Sequence, residues 1–162
     1  MRYSADITAG ALKVPESRVI AGLLLREITD REWRKAIYVQ NVLQSRSPKT
    51  AKRISVLIRG RLDLVDSTLW KLIHDGSVVE ATHACLAAAV KASHLLGDFI
   101  DLVVRDQYRT FKETLSRRLW ADYIQDCRGR DPEMPQWSES TITRLRSSES
   151  NAVGDDDDWQ SQ

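Results

Sequence analysis

Apolar residues recur at helical spacing along most of this chain, and the polar residues between them carry the punctuation of helix ends. Val19, Ile20, Leu23 and Leu24 form a first apolar stripe behind Pro15, which predicts a helix to about Ile28. Thr29 and Glu32 make a T-x-x-E capping box that opens a second helix to about Gln44. Ser47 is then an N-cap with Pro48 at the first helical position, and Ala51, Ile54, Ile58 and Leu62 mark one face of a third helix. Asp66 caps a short helix through Leu69, Trp70 and Ile73 that stops at Asp75-Gly76. Ser77 and Glu80 form another capping box and begin an alanine-rich helix to Leu96, with Gly97 as a break before an amphipathic helix over 98–111. Ser116 caps a helix containing Leu119, Trp120, Tyr123 and Ile124, which ends near Arg128-Gly129-Arg130. The connector Asp131-Pro132-Glu133-Met134-Pro135 leads to a last short helix starting at Ser138 or Ser140.

No strictly alternating run of β-branched residues competes with this pattern, and the seven glycines and four prolines are sparse. The expected class is all-α, a multi-helix bundle containing a helix-turn-helix-like pair of basic helices joined by Ser45-Arg46-Ser47. A chain of 162 residues can bury one sizeable core or two small ones. Residues 1–142 read as the helical body, with a break between two subdomains near 112–116. Residues 143–162 read as a disordered tail, because Ser147-Ser148-Glu149-Ser150, Gly154 and the run from Asp155 to Asp158 offer little to bury.

Charge sharpens this picture. The formal net charge is only +1, yet residues 33–62 hold no acidic residue and eight cations: Arg34, Lys35, Arg46, Lys49, Lys52, Arg53, Arg59 and Arg61. Such concentration of one sign is the footprint of a surface that meets polyanions. The tail masks it: residues 1–142 carry 22 basic against 18 acidic groups. The candidate nucleic-acid contacts are Arg46, at the entry to the third helix, and Lys49, Thr50, Lys52, Arg53 and Arg59 on it, away from the apolar stripe. Lysine and arginine would neutralise phosphates, and Thr50 could donate to a phosphate oxygen near the helix N-terminus. No Asn or Gln lies on that face to read a base, so weak sequence preference is expected. The expected partner is double-stranded DNA, with RNA as the alternative polyanion. An ordinary solvated face is the bland explanation, and an adaptor whose basic face meets an acidic protein is the rival function. A second basic group, Arg105, Arg109, Lys112, Arg117 and Arg118, is diluted by Asp106 and Glu113 and reads more readily as a paired, solvated face.

Catalytic chemistry is hard to find. There is no Gly-Lys-Ser/Thr phosphate loop. His94, Asp98 and Asp101 are spaced i, i+4, i+7 and could face one another, but no second cluster completes a metal shell, and caps or ion pairs explain such groups more often. We therefore assign no catalytic residue, no metal and no cofactor, and expect a non-enzymatic protein. Cys85 and Cys127 lie in helical patterns without metal-ligand spacing and read as reduced core thiols. The apolar segment 84–104 is interrupted by Lys91, His94, Asp98 and Asp101, which argues against a membrane span; with no signal peptide in view, the expected location is the cytoplasm. Trp33, Trp70 and Trp120 sit among periodic apolar neighbours and are expected in cores, while Trp137 is the best candidate for exposure and Trp159 lies in the tail.

Several segments together resemble one family: YSADITAGAL at 3–12, VPESR at 14–18, NVLQSRSPKTAKR at 41–53, GDFIDLVVRDQYRTF at 97–111 and LSRRLWADYIQDCRGRDPEMPQWSEST at 115–141. These are similar to the BrxA proteins of bacterial BREX phage-defence islands, over roughly residues 3–142. The resemblance implies a small helical, cytosolic, non-enzymatic accessory factor that binds DNA and works beside other BREX proteins, namely larger ATPase, methyltransferase and phosphatase-like partners. In the family, the chain after the equivalent of Trp137 to Thr141 is expected to continue into further helix and a C-terminal module. Here it turns Ser/Asp-rich within a few residues, the pattern a truncation or a lineage-specific ending would give.

Overall fold

The structure, a computed structural model, describes residues 2–5, 12–112 and 115–153, and the regular structure among them is entirely helical. The fold is all-α, as the periodicity predicts. Helix α1 spans Val14–Leu25, and α2, Asp30–Arg34, runs directly into a π-helical turn, Lys35–Val39. Helices α3 (Pro48–Leu62), α4 (Ser67–Asp75) and α5 (Val78–Ala92) follow. Helix α6, His94–Phe99, continues through a second π-helical turn, Ile100–Val104, into α7, Arg105–Arg109; α8 is Arg117–Arg130 and α9 is Glu139–Val153.

These elements form two compact units. The first, Leu12–Ala92, holds α1 to α5. In it α1 packs on α4, and both α1 and α3 pack on α5. Gly22 makes the first of these contacts close, since a Cβ there would come within 2.8 Å of the His74 ring. Ile20, Leu23, Ile37, Ile58, Leu62, Ile73, Ala81 and Cys85 fill the core, and the Trp70 indole N–H donates to the Leu62 carbonyl at 2.9 Å. The second unit joins the described N-terminal residues to those from Ser93 onward. Its centre is aromatic: Phe99 lies 5.1 Å from Trp120 and 5.2 Å from Tyr123, ring centre to ring centre. Tyr3, Leu95, Leu96, Cys127 and Leu145 complete that core.

Most predicted caps are present, but several boundaries differ. The capping boxes at Thr29/Glu32 and Ser77/Glu80 are closed in both directions. Helix α1 stops at Leu25 rather than Ile28, and Glu27 turns left-handed with φ 51°. The helix expected to reach Gln44 ends at Val39, so the connector to α3 spans residues 40–47 rather than Ser45-Arg46-Ser47 alone. Asn41 is the local cause. It adopts φ 47°, and its side-chain amide bridges Ser45, accepting the N–H at 2.9 Å and donating to the carbonyl at 3.0 Å. Asparagine offers the backbone a turn in place of a helical hydrogen bond.

The alanine-rich helix ends at Ala92, four residues before the predicted Leu96, because Ser93 is extended and its hydroxyl accepts the Leu96 N–H at 3.3 Å. Gly97, expected as the break, lies inside α6. The two units divide here, whereas residues 112–116, the expected break, belong to the second unit. Helix α9 spans Glu139–Val153, so the backbone over 143–153 is helical where a disordered tail from 143 was expected; Asp155 to Asp158 lie outside the described residues.

Candidate nucleic-acid interface

Helix α3 is built to show one face. Ser47, in extended conformation, caps it by accepting the Thr50 N–H at 3.2 Å, and Pro48 occupies the first turn. Ala51, Ile54, Ile58 and Leu62 are buried, as their spacing predicts. Lys49, Lys52 and Arg53 are exposed, as is Arg46 just ahead of the cap. The first turn holds no acidic residue, so the helix dipole and the cations act with the same sign on an anion placed there. Beside it, a hollow of about 180 Å³ is lined by Tyr38, Asn41, Ser45, Arg46 and Pro48 among others.

Three residues of this stretch, two of them cations, are placed differently from their neighbours. The Thr50 hydroxyl lies 3.0 Å from Ser47 Oγ and so is engaged in the cap. Arg59 stacks its guanidinium 4.6 Å from the centre of the Trp33 ring and lies 3.8 Å from Asp63, at the rim of the face. Arg61 is buried. It stands seven residues beyond Ile54 and three beyond Ile58, which is the core stripe, so counting charges along the sequence overstates the exposed patch by one.

The other candidate constellation does not assemble. Asp98 accepts from Arg2 at 2.9 Å and from the Tyr3 hydroxyl, with Arg130 at 3.8 Å. Asp101 instead pairs with Arg105 at 2.6 Å, and His94 is exposed. Among the described residues no group of three or more His, Cys, Asp or Glu side chains could hold a metal. Burial and the Asp98 hydrogen bond push the Tyr3 phenol up to about 12. Asp131 does the opposite work in the same corner. Its carboxylate accepts the backbone N–H groups of Arg2, Tyr3 and Glu133, and the Arg2 bond in particular holds it below the usual carboxylate range. Burial raises both thiols, Cys85 and Cys127, which lie in separate cores.

Sequence reasoning missed this N-terminal strap, since Arg2 and Tyr3 carry no periodic signal. It also missed three aromatic side chains that end up outside: Tyr38 and, far more exposed, Tyr108 and Phe111. Trp120 is buried and Trp33 and Trp70 are half-buried, while Trp137 is half-buried rather than exposed. In the second basic group Arg105 and Arg118 pair with Asp101 and Asp122, and Arg109 and Lys112 are exposed. No helix among the described residues is long and apolar enough to cross a membrane.

The sequence profile of the BrxA family matches residues 1–153. A protein of Paramagnetospirillum magneticum named "BREX protein BrxA" is 56% identical over 144 residues, covering 89% of this chain and 72% of the relative. One of the same name from Escherichia coli O9:H4 is 36% identical over 143 residues, covering 88% of this chain and 67% of the relative. The crystal structure of an uncharacterized protein from Magnetospirillum magneticum superimposes with a TM-score of 0.86 at 49% identity, covering 95% of this chain and 78% of that one.

Proposed function

Because this chain belongs to the BrxA family, we propose that it is a DNA-binding accessory protein of a BREX phage-defence system, working in the cytoplasm beside other BREX proteins and without chemistry of its own. The observation that carries the reading is the exposed side of α3. Arg46, Lys49, Lys52 and Arg53 lie within eight residues, with no acid among them and a buried apolar stripe behind. A rigid helix that presents cations in this way neutralises phosphates along a duplex and releases the counterions condensed on it. The contacts are to backbone, so they position the protein without reading sequence. Arg59 contributes from the rim, and Thr50 serves chiefly by completing the cap that holds the first turn.

Titration of duplex DNA over a range of salt concentrations tests this. With about four to five phosphates neutralised, log affinity should fall against log salt with a slope near −4. The double variant Lys52→Glu/Arg53→Glu should keep the parental melting temperature, because both side chains are exposed, and should weaken binding to every duplex alike. A folded double variant that binds as tightly as the parent at all salt concentrations refutes the role of α3. Failure of the parent to bind duplex at low salt, with retention of an acidic protein partner, would make the face an adaptor surface.

A further inference from the structure

The end of α7 shows a residue in the wrong place for stability. Phe111 adopts φ 56°, and its N–H bonds to the Tyr108 carbonyl at 3.1 Å while the Lys112 N–H reaches back to the Gln107 carbonyl at 3.1 Å. This is the Schellman arrangement, in which the left-handed position is normally glycine because a side chain there is strained. Among the described residues with positive φ, Phe111 alone is aromatic. The strain is not offset by packing, since Phe111 is 94% exposed. Tyr108, three residues earlier, is 82% exposed. A bulky residue held in strained backbone and burying nothing points to a ligand more readily than to the fold.

The neighbours say which ligand. Arg109 and Lys112 are exposed and interleave with the two rings; Arg105, one turn before Tyr108, is already paired with Asp101, and Asp106 is the one acid of the segment. Apolar protein partners favour aromatic surface with few cations at its centre, and duplex DNA hides its base faces. Exposed rings alternating with cations suit a single strand, whose unpaired bases stack on the rings while the cations meet its phosphates. We propose that residues 105–112 form a binding site for single-stranded nucleic acid, with Tyr108 and Phe111 as stacking platforms and Arg109 and Lys112 as phosphate contacts. The site belongs to a different unit from α3 and stands independently of the duplex reading. Stacking and phosphate neutralisation are indifferent to the sugar, so DNA and RNA strands share this chemistry.

Fluorescence anisotropy with the full chain and three labelled strands of equal length, oligo-dT, oligo-U and an abasic DNA strand, tests the proposal. Phe111→Gly is the informative variant, because it removes the ring and relieves the backbone. Its melting temperature should match or exceed the parent's, while oligo-dT binding weakens about five-fold. Adding Tyr108→Ala should bring the loss to at least ten-fold, with duplex binding kept, and the abasic strand should bind the parent no better than oligo-dT binds this double variant. Tighter binding of oligo-U than oligo-dT supports the site and identifies the natural strand as RNA; the reverse identifies DNA. The proposal is overturned if the parent fails to bind either base-bearing strand at low salt, or if the abasic strand binds as tightly as they do. It is equally overturned if the variants keep parental affinity, including the case where they alter only self-association.

Discussion

Arg61 and Tyr3 show what a single residue's neighbours in sequence can and cannot reveal. Arg61 counts as one more cation in the acid-free run, yet its register with Ile54 and Ile58 puts it on the core side, a fact the helical period already contains. Tyr3 has no such period around it; only the fold brings it to Asp98 and Asp131. Its pKa makes a pH prediction with a definite sign. The folded protein keeps the phenol protonated to about 12, whereas an unfolded chain releases that proton from its ordinary value near 10. Between those values the folded state binds more protons, so stability falls as pH rises through the window and the contribution is fully present below pH 10. In Tyr3→Phe that part of the alkaline decline should disappear, although the variant starts less stable for want of the hydroxyl's bond to Asp98. Urea unfolding of parent and variant at several pH values between 9 and 12 measures the difference in slope.

At the scale of the element, starts were legible and ends only in part: α4 stops at Asp75 and α8 at Arg130 as the sequence places them, whereas α1, the second helix and α5 stop short. Ser47, Asp66, Ser77 and Ser116 each open a helix where the sequence places one, since an N-cap needs only a side-chain oxygen within three residues of the N–H it accepts. Helix ends depend on weaker preferences that neighbours override. Asn41 diverts the second helix before Gln44, and Ser93 interrupts an alanine-rich run whose propensity would have carried it to Gly97. Ser93→Ala should remove that interruption's cap and cost about 1 kcal/mol, read by chemical denaturation. Helical circular dichroism should stay level or rise slightly, because the alanine favours joining α5 to α6; a stability equal to the parent's would show that the break is set by packing alone.

At the scale of the molecule, the described N-terminal residues share one unit with those from Ser93 onward, and Leu12–Ala92 forms the other. The N-terminal strap is part of the second core, not an appendage, because Tyr3 is fully buried and its N–H is held by Asp131. Tyr3→Ala should therefore destabilise by about 3–5 kcal/mol, the usual cost of emptying an aromatic core site. Hydrogen exchange should locate that loss in α6, α8 and α9 and leave α1 to α5 protected as in the parent. Loss of protection in α1 to α5 as well would show that the two units unfold as one.

The sequence alone determined what local rules govern. The all-helical class, the capped starts of helices and the apolar stripe behind the cations of α3 rest on contacts between residues three or four apart, and these a linear pattern displays. The family, too, was legible in its motifs. Tertiary structure decided where the chain divides, how the strap joins a carboxylate 129 residues away from Arg2, and which side chains are left outside. Asp98 looks like a metal ligand by spacing and is an ion-pair and hydrogen-bond acceptor by placement; Phe111 looks like core by type and stands in solvent. Those outcomes depend on which distant surfaces are already occupied when the chain packs, and no period along the sequence encodes that.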